Sequence, residues 1–391
     1  MMESKTKYYA SLDILKTVAA VLTLFFHCNM HLGIHFGFFT PFISQGAIAM
    51  DLFFMLSGYA LFVGYYAKEL DAKSILTFYK RRLVSIYPLY ALVMVAFWLI
   101  PSYRSPLRSV LISLPVELSL MQSWFSGMFG FSHNGGTWFL SCLVFCYAVF
   151  PGLLAVAKRI SRASRYILLL LCWLFCALIP LMSIYLEMPN VYSNPLLRML
   201  EFFGGILLAA ELCDRKILGR PTMWLAGVTI CGGGIIGVVT KLYPIEILRN
   251  GYITYGFATF PLFLLLVAAS ICVECGYEHP LPLAHWWKTC GDHAYAVFMA
   301  QFFLWPSIRK LKEILPQAFA AHENGKTLLL TVVFCLVLTI ILQDCYNSLH
   351  KKDCLHICTR RKERYLYDHY RYRRRRFYRQ QLHFLYAGQA P

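Results

Sequence analysis

Long apolar runs alternate with short polar breaks from one end of the chain to the other. Ten runs stand out, at 12–33, 46–66, 84–101, 137–157, 165–186, 197–212, 222–241, 252–274, 293–309 and 327–346. Most approach the ~20 residues that a helix needs to cross a bilayer core. They predict an all-α fold, a polytopic membrane protein with about ten transmembrane helices. A further apolar stretch, VLISLPVELSLMQSWF, lies within 101–136 and is interrupted by Pro115 and Glu117. Taking it as a span inverts the charge pattern of every later loop. It reads instead as a re-entrant or surface helix outside the cytoplasm.

Alternate breaks are rich in Lys and Arg: the N-terminus, 68–82, 158–165, 215–220 and 350–391. The positive-inside rule places these in the cytoplasm. An even number of spans then puts both termini there, with the protein in the inner (plasma) membrane. The break holding Arg309, Lys310 and Lys312 is an exception on the outer side and reads as an amphipathic segment.

Composition agrees with the pattern. Of the 391 residues 58% are hydrophobic and 15% charged, with a mean hydropathy of +0.54. Soluble domains carry about 25% charged residues, so a soluble enzyme is excluded. The first apolar run is long enough to span and follows the polar MMESKTKYYASLD, so no cleavable signal peptide is expected. The net charge of +17 gathers in the C-terminal stretch containing RYRRRRFYR. It divides the chain into a membrane-embedded part, 1–349, and a basic cytoplasmic tail, 350–391. Such a run is one signature of nucleic-acid binding. Directly after a last span it reads more simply as an orientation signal that also touches anionic membrane lipid, and no nucleic-acid partner is expected. The 14 Cys are mostly scattered through apolar runs, where free Cys packs as a small hydrophobe. Neither Cys272–Cys275 nor the Cys354, His356, Cys358 cluster has a matching second pair at zinc-finger spacing, so no metal is expected.

The first run carries the most informative polar residues, Lys16 and His27. Eleven helical steps return to within about 20° of the starting direction, so both side chains share one face, roughly 16 Å apart along the axis. Ionisable groups inside a membrane segment are functional candidates by default. The plainer reading is a snorkelling Lys16 and a His27 hydrogen-bonded to a neighbouring helix. Asp51 opens the second run and has two readings, an ion pair with a nearby Lys or Arg, or a group orienting a base. In FYKRRLVSIYPLY, Lys80, Arg81 and Arg82 are either an orientation flag or a phosphate site, since guanidinium forks match phosphate oxygens. Arg198 and Glu201 stand three residues apart, a spacing at which helical charges pair.

In order, these residues resemble acyltransferase family 3, bacterial integral membrane O-acyltransferases that act on carbohydrates. The resemblance rests on Lys16 with His27 eleven residues on, then Asp51-Leu52-Phe53-Phe54 with Ser57-Gly58-Tyr59, then Phe78, Arg81-Arg82 and Pro88 with Tyr90. Asn134 to Pro151 and Arg198 to Gly205 are similar to later segments of that family. There are departures. Ser85 stands where the family has a third arginine, Leu143 where related subgroups carry Glu, and GDHAYAVFMAQ ends in Gln301 where His is frequent. The resemblance implies transfer of an acyl group, commonly acetyl, from acetyl-CoA or another acyl-CoA to a hydroxyl of a cell-surface carbohydrate or its lipid-linked precursor. It implies catalytic roles for His27 and Lys16, and donor handling by Arg81 and Arg82, with Lys80 beside them. On this reading the imidazole of His27 is the general base. Cys28 points about 100° away from it, and no Ser–His–Asp set is apparent, so direct transfer is expected rather than an acyl-enzyme. The competing class is a transporter or flippase of a glycan or lipid precursor, which also places ionisable residues in several spans.

Overall fold

The computed structural model describes residues 9–69, 71–99, 106–125, 127, 135–185, 191–214, 221–242, 256–277, 281–320 and 322–348. The chain divides into two units, Met1–Leu342 and Gln343–Pro391. Asn134, residues 215–220, Cys354, His356, Cys358 and the basic stretch 350–391 lie outside the described residues.

Eleven helices longer than ten residues carry the fold among the described residues. They are α1 Ala10–Leu32, α2 Ala49–Tyr65, α3 Ala72–Leu99, α4 Leu107–Leu118, α5 Trp138–Arg159 and α6 Arg162–Tyr185. After these come α7 Pro195–Cys213, α8 Pro221–Leu242, α9 Gly256–Gly276, α10 Ala284–Ile314 and α11 Glu323–Ser348. Each of the ten expected spans falls on one of them. Seven stretches are long and apolar enough to cross a membrane by length and composition alone: α1, Gly46–Tyr65, α5, Arg162–Ile179, α8, α9 and α11. The remaining three are α3, α7 and α10. α7 shows why apolarity is not required of them: Arg198, Glu201 and Glu211 are all buried, so the protein rather than lipid surrounds it. α4, the interrupted stretch, has 12 residues. At ~1.5 Å per residue that is about 18 Å, too short to span. Hydroxyls of Tyr90 and Tyr87 on α3 anchor its end by donating to the Glu117 and Leu118 carbonyls at 2.8 and 3.1 Å.

α7 packs against α2, α5 and α6. Its antiparallel crossing with α2 is set by two glycines. A Cβ at Gly205 would stand 2.0 Å from the Met55 carbonyl oxygen, and one at Gly58 would stand 1.9 Å from that of Phe202. Backbone meets backbone there, as at small-residue contacts between membrane helices.

Charged side chains tie off helix ends. The Glu274 carboxylate of α9 accepts from Ala10 N and Ser11 N at 2.9 Å each and from Ser11 Oγ at 2.7 Å. It thus satisfies the unpaired amides at the N-terminus of α1 and complements its dipole. Lys158 Nζ donates to the Lys68 carbonyl at 2.9 Å, just past α2. Arg165 Nη1 donates to the Ala210 carbonyl at 3.1 Å and to Asp214 Oδ2 at 2.6 Å, at the end of α7. The basic breaks therefore do more than carry charge: their cations meet carbonyls at helix C-termini, where the dipole favours them. The Arg165 hydrogen bond also holds the Asp214 carboxyl below the usual carboxylate range.

α1, α3 and α10 run in the same direction, as paired contacts show. Asp13 faces Gly291, whose added Cβ would stand 2.6 Å from Asp13 Oδ1, and Arg309 reaches the His31 carbonyl further along. Tyr295 donates to the Ile86 carbonyl at 2.9 Å, and Phe97 stacks on Phe303 with ring centroids 5.0 Å apart. α10 also touches α2 through Phe53 and α5 through Phe139, both against Phe298.

Candidate active site

α1 presents Asp13, Lys16, His27 and His31 along α10. Lys16 Nζ donates to Asp13 Oδ1 at 2.9 Å and keeps about a third of its side chain exposed (31%) while Asp13 is buried. The close seat of Asp13 requires glycine at 291, because any Cβ would overlap the carboxylate. Lys16 and His27 share a face, as expected, but each has its own partner and they do not touch.

His27 is half-buried, with Nδ1 2.7 Å from Gln301 Oε1 of α10. Trp305, one turn on, sets its ring edge-on to His27 at 5.6 Å and stacks on His31 at 5.4 Å. His27 and His31 lie 5.5 Å apart between centroids. Arg309, a further turn on, donates through Nη2 to the His31 carbonyl at 2.8 Å, close to the C-terminus of α1. Gln301, Trp305 and Arg309 thus form one stripe of α10 at four-residue spacing, the helical repeat that brings side chains one above another. Cys28 is buried, and Ile34 donates its amide to the Cys28 carbonyl.

The three cations of α3 do not converge. Lys80 and Arg81 are exposed, whereas Arg82 turns in over the rings of Phe78 and Tyr147, at 5.7 and 5.8 Å. Adjacent residues on a helix point about 100° apart, so one run of basic letters becomes two surfaces. Arg82 Nε is buried without a hydrogen-bond partner among the described residues. Arg82 lies one turn before Ile86, which pairs with Tyr295 of α10. Asp13, beside Lys16, faces Gly291, one turn before Tyr295. Lys16 and Arg82 therefore sit at a similar level along α10, and His27 about 16 Å further along α1.

Asp51 belongs elsewhere. Its Oδ1 accepts from Arg198 Nη1 at 2.6 Å and its Oδ2 from Thr259 Oγ1 at 3.0 Å. Arg198 also donates to Glu201 Oε1 at 2.7 Å, the pair expected from their spacing, and through Nε to the Tyr192 carbonyl at 2.8 Å. Of the two readings of Asp51 the structure holds the ion pair; the group beside His27 is Gln301. In the sequence Gln301 stands out only as a departure from a family pattern. The signal for its role was the spacing of Gln301, Trp305 and Arg309, which resolves only once α10 is known to lie parallel to α1. Among the described residues no three His, Cys, Asp or Glu side chains gather in a metal-binding group.

A bundle of membrane-length helices, with a half-buried imidazole held by a neighbouring helix, defines a multi-pass membrane protein. The chain belongs to the acyltransferase family: the Acyltransferase domain of Acyl_transf_3 matches residues 9–343. It is also similar to Acyltransferase MdmB of Streptomyces mycarofaciens, 28% identical over 222 residues. That match covers 51% of this chain and 55% of the relative, so the chain spans about half the length of the curated protein it matches. No solved structure matches.

Proposed function

We propose that this protein is a membrane O-acyltransferase. On this reading it moves an acyl group, commonly acetyl, from acyl-CoA to a hydroxyl of a cell-surface carbohydrate or its lipid-linked precursor. The observation that carries the reading is the half-buried His27, anchored through one ring nitrogen at 2.7 Å by Gln301, in a chain of the acyltransferase family. A neutral imidazole with one ring nitrogen anchored keeps its other nitrogen free to take a hydroxyl proton.

In the proposed reaction the acceptor hydroxyl loses its proton to His27 while its oxygen attacks the thioester carbonyl. The tetrahedral oxyanion collapses, the C–S bond breaks, and the leaving CoA thiolate takes the proton back from the imidazolium. Arg81 and Lys80, exposed on α3, and Arg82 beside them hold the phosphates of the donor, where guanidinium forks and ammonium charge suit phosphate oxygens. Lys16 stands at the same end of the bundle and joins them. The pantetheine arm then carries the thioester inward along α1 to His27, which accounts for the offset between cations and base. This end of the bundle faces the cytoplasm, in keeping with the basic breaks, and the protein sits in the inner (plasma) membrane with both termini on that side.

The transport reading drew on ionisable residues spread over several spans. Asp51, Arg198 and Glu201 are bonded to one another in the interior, which favours a clamp over a path. The test is mass spectrometry of surface glycans from host cells carrying wild type, His27→Ala or no protein. The expected result is one added acyl mass with wild type, lost with His27→Ala at equal membrane levels. No added mass in any strain, together with movement of a glycan or lipid precursor in the absence of acyl donor, would overturn the reading in favour of transport.

A further inference from the structure

Gln301 is fully buried, yet only one end of its amide is bonded. Oε1 meets His27 Nδ1 at 2.7 Å, while Nε2 is buried without a partner among the described residues. A glutamine kept for packing alone would carry the desolvation cost of that amide with nothing gained. The carbonyl oxygen accepts only, so the nitrogen it faces must carry the proton. In a neutral imidazole the other nitrogen is then the sole acceptor.

We propose that Gln301 is the positioning residue of His27. It fixes the tautomer with Nδ1–H donating to Oε1, so that Nε2 is the basic atom offered to the acceptor hydroxyl. Trp305 holds the ring plane from the next turn, edge-on at 5.6 Å. The opposite orientation, with the amide NH2 against Nδ1, would leave Nε2 protonated and unable to take a proton. The titratable or charged groups around His27 are His31 on α1, Arg309 on α10 against the His31 carbonyl, and Cys335 of α11 behind Cys28. None of these is a carboxylate, so replacing Gln301 changes the acceptor at Nδ1 without competition from a second one. The inference rests on the base reading of His27 given above and adds which atom acts and what holds it.

The test compares wild type, Gln301→Glu, Gln301→Leu and His27→Ala as full-length protein in proteoliposomes. One readout needs no turnover: carbethoxylation of His27 by diethyl pyrocarbonate across a pH series, read by peptide mass spectrometry. The other is kcat for acetyl-CoA with host envelope glycan as acceptor. A carboxylate at 301 stabilises the imidazolium and should move the labelling midpoint up by about one pH unit. Leucine removes the acceptor and should move it down. Leucine should also lower kcat by about a hundredfold with KM for acetyl-CoA little changed, while Glu, an acceptor only, keeps a substantial part of the rate. Midpoints that stay in place in both variants overturn the inference and leave the base reading standing if His27→Ala is inactive. Loss of activity with Glu equal to that with Leu overturns the proposed tautomer. Full activity in His27→Ala overturns both.

Discussion

Arg198 on α7 donates through Nη1 to Asp51 Oδ1 on α2 across 2.6 Å, with both side chains buried. Glu201 shares the same guanidinium nitrogen, and Thr259 of α9 binds the other Asp51 oxygen. The arrangement fastens three helices at one point.

Removing one partner of a buried ion pair costs about 3–5 kcal/mol, because the other charge is left without compensation. Arg198→Met strands two carboxylates and should prevent accumulation of the protein in the membrane. Asp51→Asn keeps the hydrogen-bonding shape and should accumulate with a lowered melting temperature in detergent. Immunoblots of membranes and a thermal scan check both. Equal levels of Arg198→Met and wild type would contradict the clamp.

The α2–α7 crossing predicts a sharp intolerance of methyl groups. A Cβ at Gly58 or Gly205 lands on a carbonyl oxygen of the facing helix, at 1.9 and 2.0 Å. Overpacking costs about 1–3 kcal/mol or more where the obstacle is backbone. Gly58→Ala and Gly205→Ala should each lower the melting temperature. Gly64→Ala, with nothing within 4 Å of its added Cβ, serves as the control. The same scan across the three variants decides.

Arg81 and Arg82 should separate by phenotype. Arg81 is exposed, so Arg81→Gln should raise KM for acyl-CoA about tenfold, equivalent to ~1.4 kcal/mol, with unchanged protein level and a weaker salt dependence. Arg82 also covers the rings of Phe78 and Tyr147, so Arg82→Gln should lower thermal stability as well as donor affinity. Steady-state kinetics at two ionic strengths, beside a thermal scan, distinguish them. Identical behaviour of the two variants would mean that the inward turn of Arg82 has no consequence.

Asp214 supplies a pH-dependent contribution. Arg165 holds its carboxyl below the ordinary value, so the stabilisation is fully present above the unfolded pKa of ~3.9. It is lost as the pH falls through the lower folded value. The difference in melting temperature between wild type and Asp214→Asn should be constant from neutral pH down to about 5. It should shrink below pH 4; a difference independent of pH throughout would assign the effect of the substitution to shape rather than charge.

The sequence by itself determined the class of fold. Runs of apolar residues near membrane length specify helices, because an unpaired backbone cannot be left in hydrocarbon. It also determined the candidates Lys16 and His27, since helical periodicity fixes which face of α1 they share, and the pairing of Arg198 with Glu201, since three-residue spacing is local. What the tertiary structure decided is what crosses between helices. Composition alone marks seven crossing helices, and the charges of α7 are accommodated because protein buries Arg198, Glu201 and Glu211. Whether Asp51 served a base or an ion pair depended on Arg198 lying opposite it, 147 residues away in sequence. The separation of Arg82 from Lys80 and Arg81 followed from the rings packed beneath one side of α3. Above all, Gln301 met His27 across 274 residues because α10 runs parallel to α1. Periodicity fixes the face a side chain occupies on its own helix; the register between two helices comes from packing and from close approaches such as Gly291 on Asp13, and that register chose the partner of His27.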